Sequence, residues 1–141
     1  MRTLLNLIWF FFGGLWLSIG YVLFGILACL LIITIPAGVA SFRMAAFALW
    51  PFGKAVVPQP GAGAGSAVMN FLWFLIAGVW LALGHITTAF AQAITIIGIP
   101  LALANLKMIP VTCFPFGKQI VDIDALAVGV TPMYLAEPVA R

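Results

Sequence analysis

The chain has 141 residues, of which 65% are hydrophobic and only 6% charged, with a formal net charge of +3 and a mean hydropathy of +1.26. Apolar surface on this scale cannot be hidden inside a water-soluble fold of that size, which excludes a soluble globular domain. What remains is an integral membrane protein.

In chain order, Met1-Arg2 opens on an apolar run that resembles a signal peptide. No small-x-small site follows a short apolar core, so the run is expected to stay in place as a helix. From Leu4 to Leu49 the only formal charge is Arg43. A stretch of about 46 residues makes roughly 70 Å of continuous helix, against a hydrocarbon core of about 30 Å. Two crossings fit that length, with a turn near Trp16 to Gly20, where glycine relaxes the backbone and Trp suits the headgroup level. The expected helices cover 4–19 and 21–42. Pro36 should free a carbonyl at Ile32 and bend the chain as a helix break, and Arg43 then reaches the interface as a basic anchor. Pro51-Phe52-Gly53-Lys54 follows, and Ala55-Val56-Val57 favours a strand.

Residues 58–67, rich in Pro, Gly and Ala, read as a flexible linker. Beyond them the chain repeats itself. Shifting the sequence by 64 positions aligns 6–54 with 70–118 without a gap, and 17 of the 49 pairs are identical. The identities fall on residues with specific backbone or interfacial roles, among them Asn6/Asn70, Trp9/Trp73, Trp16/Trp80, Gly20/Gly84, Pro36/Pro100 and Gly53/Gly117. Domain boundaries follow: a first repeat over 1–57, a second over 68–124 and a flexible tail over 125–141. The second repeat should place helices at 68–83 and 85–106, a second helix break at Pro100, and a period-two strand from Gln119 to Asp124.

The two-crossing layout puts all six basic residues (Arg2, Arg43, Lys54, Lys107, Lys118 and Arg141) on one side, so the positive-inside tendency places both termini in the cytoplasm. Arg43, Lys54, Lys107 and Lys118 are then cytoplasmic basic anchors. In the rival layout each repeat crosses once as a long tilted helix. Residues 37–50 and 101–114 become short interfacial or re-entrant helices after each proline, and the repeats are inverted. If the repeats are parallel, their strands share one face and can pair.

Chemistry-bearing residues are few. Asp122, Asp124 and Glu137 are the only acids, and Cys29 and Cys113 lack metal-ligand spacing, so no catalytic residues, metal or cofactor are expected and the cysteines read as reduced small hydrophobes. His85, Thr88, Gln92 and Thr95 recur at i, i+3, i+7 and i+10 on one face of an apolar helix. That stripe is either polar glue between helices or a candidate polar lining for a pore. Its first-repeat counterparts are Tyr21, Phe24, Ala28 and Leu31, so it belongs to one half only. Gly14 with Ser18, and Gly78 with Ala82, are small pairs spaced for close helix packing, within a hairpin or between subunits.

Ile-Gly-Ile-Pro at 97–100, the base Lys107 and Pro-Phe-Gly-Lys at 115–118, with a second copy at Ile33 to Pro36, Arg43 and Pro51 to Lys54, resemble the YccF family, the inner membrane component domain. The first copy carries Thr34 where the second has Gly98, and Phe42 where the second has Leu106. The resemblance implies a multi-pass protein of the bacterial inner membrane and brings no established activity. The expected fold is therefore an all-α integral membrane protein, a tandem repeat of two transmembrane helical hairpins with short cytoplasmic β-strands after each Pro-Phe-Gly-Lys. The expected role is a non-enzymatic structural or assembly component; the alternative is an oligomeric channel or transport component lined by the His85 face. Expected partners are the lipid bilayer, further copies as a homo-oligomer, and anionic lipid at Arg43 and Lys107, with no nucleic acid.

Overall fold

The computed structural model describes residues 2–59, 61, 63–126, 132 and 134–135. Arg141, Glu137, most of the tail, and Pro60 and Ala62 of the linker lie outside the described residues. Each repeat is a helical hairpin followed by a strand. In the first, α1 (Arg2–Trp9) runs through a π-type turn at Phe10–Gly14 into α2 (Leu15–Leu30), and α3 (Ile35–Leu49) returns along it. Strand β1 (Lys54–Pro58) closes the repeat. The second has α4 (Ala64–Trp73), a π-type turn at Phe74–Gly78, α5 (Val79–Ala93), α6 (Ile99–Cys113) and β2 (Lys118–Asp122). Helix α4 takes up residues 64–67, which the linker composition had claimed.

The hairpins stand, but their turns move. Trp16–Gly20 and Trp80–Gly84, expected as turns, lie within continuous helix, and the chain reverses at residues 31–34 and 94–98 instead. Pro36 and Pro100 therefore do not bend a continuing helix; they sit in the first turn of α3 and α6, where a missing N–H costs nothing. This segmentation, a long helix then a short one after proline, is that of the single-crossing rival. The turns are apolar and bare: Ile33 is 90% exposed and Ile96 88%. Their backbone carbonyls are covered by side chains. Thr34 Oγ1 donates to the carbonyls of Ala28 at 2.6 Å and Leu31 at 2.8 Å. In the second turn Thr95 Oγ1 donates to Gln92 O and accepts from Gly98 N, both at 3.0 Å. The hydroxyl has moved three places, which accounts for Thr34 facing Gly98 in the alignment.

The repeated Asn and Trp fix how each hairpin ends. Asn6 Nδ2 donates to Phe52 O at 2.8 Å and its Oδ1 accepts from Phe52 N at 2.9 Å. Asn70 does the same to Phe116, at 3.0 and 2.8 Å. Trp9 Nε1 donates to Ala48 O at 2.6 Å and Trp73 Nε1 to Thr112 O at 2.9 Å. The turns so held need glycine, since Gly53 and Gly117 have φ of +98° and +80°. Ser18 Oγ donates to Ala45 O, only three residues from the Trp9 acceptor. Nine residues of straight helix would advance about 13.5 Å where three advance about 4.5 Å, so the first arm must bend between Trp9 and Ser18, and the π-type turn is where it does. Gly14 lies against Trp9 and the Ala48 carbonyl, and Gly78 against Cys113. The small residues are thus spent inside each hairpin.

The repeats are related by a local two-fold axis. Strands β1 and β2 pair antiparallel with Val56 opposite Ile120, and these are equivalent residues, 64 positions apart. Tyr21 bonds His85, again an equivalent pair. Gly20 faces Leu81 as Gly84 faces Leu17, so α2 and α5 pass each other in opposite sequence directions at the crossing. Even the bonds flanking the sheet repeat: Gln59 N to Gly117 O at 2.8 Å and Ile123 N to Gly53 O at 2.9 Å. A third strand, β3 (Tyr134–Leu135), pairs antiparallel with the other edge of β1 and lies against α6. It comes from the stretch expected to be a flexible tail. Around the axis the core gathers Trp9, Tyr21, Met44, Phe47, Trp73 and Met108.

Candidate functional site: a buried polar chain on the two-fold axis

The four stripe residues separate. His85 is fully buried and Gln92 almost so. Thr88 Oγ1 donates to Gly84 O at 2.8 Å on its own helix, and Thr95 closes the turn already described. Only His85 and Gln92 hydrogen-bond to other elements, while the Thr88 methyl packs against Gly13, and three partners absent from the stripe complete the chain: Tyr21 of α2, with Asn105 and Thr112 of α6. Tyr21 was visible as the counterpart of His85. Asn105 and Thr112 are, besides exposed Lys107, the polar residues of an otherwise apolar helix, and only the hairpin register brings them to it.

Donor and acceptor accounting fixes the chain's direction. Phe12 O can only accept, so Gln92 presents Nε2 to it at 3.3 Å. Gln92 Oε1 then accepts from Asn105 Nδ2 at 2.7 Å, which leaves Asn105 Oδ1 to accept from His85 Nδ1 at 2.7 Å. A neutral imidazole with its proton on Nδ1 satisfies this and offers Nε2 to the Tyr21 hydroxyl at 3.0 Å. Tyr21 in turn accepts from Thr112 Oγ1 at 2.6 Å. Thr112 Oγ1 also reaches Met108 O at 2.9 Å, so turning two hydroxyls would let the same heavy atoms serve a doubly protonated ring. The chain ends at the Phe12 carbonyl and at the Thr112 hydroxyl, which lies beside the Met108 carbonyl, and a carbonyl passes no proton onward.

Beside Gln92 lies a largely apolar cavity of about 420 Å³ that Ile8, Phe12, Thr95, Gly98 and Leu101 help line. Its symmetry counterpart, about 150 Å³, lies between Leu31 and Thr34 of the first turn and Met69, Trp73 and Ile76 of the second repeat. Each turn therefore sits beside the first helix of the opposite repeat.

The charged residues collect around the sheet. Lys54 Nζ meets Asp122 Oδ1 at 2.5 Å and Arg2 meets Asp124 at 3.4 Å, so the two aspartates serve ion pairs. Lys118 donates to Phe114 O at 2.7 Å, and partial burial holds its ammonium below the usual lysine range. Arg43, exposed on α3, joins Lys54 and Lys118 around a cavity of about 410 Å³. Lys107 is exposed on α6. Among the described residues no three His, Cys, Asp or Glu side chains gather as a metal site, and Cys29 and Cys113 are free thiols.

The inner membrane component domain matches this chain twice, over residues 4–54 and 68–118. Those limits cover all but the first residues of each hairpin and end on Lys54 and Lys118. The chain belongs to the YccF family. It is 32% identical to the inner membrane protein YccF of Escherichia coli K12, over 88% of this chain and 90% of that protein. The same figures hold for the inner membrane protein YccF of Shigella flexneri. No solved structure matches it. As a YccF family member with long apolar helices, it is a protein of the inner membrane.

Proposed function

We propose that this YccF family member is a non-enzymatic structural or assembly component of the inner membrane, in which two hairpins form an internal pseudo-dimer that presents a small basic sheet to the cytoplasm. The observation that carries this reading is the polar chain on the axis. Each of its members is hydrogen-bonded within the protein, with the Phe12 carbonyl at one end and the Thr112 hydroxyl beside the Met108 carbonyl at the other. A transport lining needs polar groups left for water or cargo, and His85 and Gln92 have theirs engaged. The channel alternative loses its principal support in this way.

The sheet carries Lys54 and Lys118 with Arg2 alongside, so the positive-inside tendency supports a cytoplasmic location for the sheet and for the start of α1. Arg43 and Lys107, exposed on equivalent faces, suit contact with anionic headgroups. Assembly with further copies would use surfaces other than the Gly14 and Gly78 faces, which the hairpins consume. Liposome flux tests the reading. Proteoliposomes should show no pH-dependent ion leak above empty vesicles, and a His85→Leu, Gln92→Leu pair should lower thermal stability without altering flux. Wild-type flux that this pair abolishes would restore the channel.

A further inference from the structure

The sheet breaks the two-fold symmetry at one place. On the outer edge of β1, Leu135 pairs with Ala55 and Tyr134 with Val56, so β3 fills the space between β1 and α6. The equivalent residues on β2 are Gln119 and Ile120. Among the described residues β2 has no partner on its outer edge, and Gln119 and Ile120 line the cavity of about 410 Å³ against α3. The fold therefore builds one strand-receiving groove twice, and its own tail occupies one copy.

We propose that the groove between β2 and α3 receives an extended segment of a partner protein, added antiparallel to β2 and carrying a carboxylate. Strand addition supplies main-chain hydrogen bonds from an unpaired edge, and the flanking pockets choose the side chains. The filled copy shows that such a groove takes a strand, since the Tyr134–Leu135 backbone pairs along β1. Charge selects the carboxylate. Arg43, Lys54 and Lys118 rim the open groove, and Arg43 has no hydrogen bond or ion pair among the described residues. The tail of a second copy is the poorer occupant, because each chain has one tail and would have to vacate its own β1 to lend it. The proposal rests on the assembly reading above. The flux assay decides that reading, and a peptide assay decides this one.

The probe is a fluorescent peptide of residues 132–141 with a photoreactive group at the position of Leu135, added to the full chain in nanodiscs of neutral lipid. Saturable binding with cross-links to β2 and α3 is expected. Arg43→Glu should weaken it about tenfold, while Lys107→Glu, on the filled side, should leave it unchanged. Arg43 is exposed, so the variant should fold, which its melting temperature checks. Four results would overturn the proposal: no saturable binding, cross-links confined to β1 and α6, copies cross-linking through Gln119→Cys at β2, or displacement of bound peptide by vesicles containing phosphatidylglycerol.

Discussion

Single polar side chains hold this apolar fold in one register. Asn6, Trp9 and Ser18 each reach a backbone group on the return arm, Ser41 reaches back from that arm to Tyr21 O on α2, and Asn70 and Trp73 repeat the first two. Apolar faces alone leave helix register loosely defined in a membrane, because lipid tails match them equally well. A polar group whose alternative is an unsatisfied state in hydrocarbon supplies what they lack. Tyr21→Phe tests this at the axis. It removes the bonds to His85 and Thr112 and leaves the His85 Nε2 lone pair buried without a donor, so stability should fall by about 1 kcal/mol. Asn6→Ala strips both bonds from the Phe52 backbone and should cost more, about 2 kcal/mol. Thermal unfolding in a single detergent ranks the two, and an unchanged melting temperature for both would remove register-setting from these side chains.

At the level of elements, the sequence made some features plain and hid others for physical reasons. The repeat, the strand after each Pro-Phe-Gly-Lys and the presence of hairpins were legible, because they rest on identities and on period-two patterning. Turn position was not. Trp16 and Gly20 read as a turn in isolation, yet Gly20 is small because α5 crosses there, a contact set by a residue 61 positions away, Leu81. Thr34 with Pro36 carried the true signal, a hydroxyl to cover carbonyls followed by a proline suited to a helix start. His85, Thr88 and Gln92 lie on α5 and Thr95 in the turn beyond it, and helical spacing says nothing of what lies opposite. Asn105 and Thr112 come from the return arm and Tyr21 from the other repeat. Glycine at the strand entrance was the clearest element-scale constraint. Gly53→Ala and Gly117→Ala force a left-handed backbone on an L side chain and should each destabilise by about 1 to 2 kcal/mol. Differential hydrogen exchange should show the loss concentrated in β1 and β2, with the α2 and α5 amides little affected.

For the whole molecule the question is how a two-fold body with apolar turns sits in a bilayer. The sheet lies on the axis with Arg2, Lys54, Lys118 and their aspartates, and the turns at 31–34 and 94–98 carry no charge at all. Charges of this kind favour water over acyl chains, and the exposed Ile32, Ile33, Ile96 and Ile97 favour lipid. With the axis along the membrane normal both repeats share one orientation, and with the axis in the membrane plane one repeat is inverted, as the opposite directions of α2 and α5 would have it if they cross the bilayer. Thiol labelling separates the two in a background with Cys29 and Cys113 replaced by serine. Cysteines at Ser66 and Gln119 should react with a membrane-impermeant reagent only after the cytoplasmic side is opened. Cysteines at Ile33 and Ile97 should resist that reagent from both sides and react with a membrane-permeant one. Labelling of Ser66→Cys from the periplasm would reverse the orientation. Opposite accessibility of Ile33→Cys and Ile97→Cys would show that the turns face opposite compartments, and the axis would then lie in the plane of the membrane.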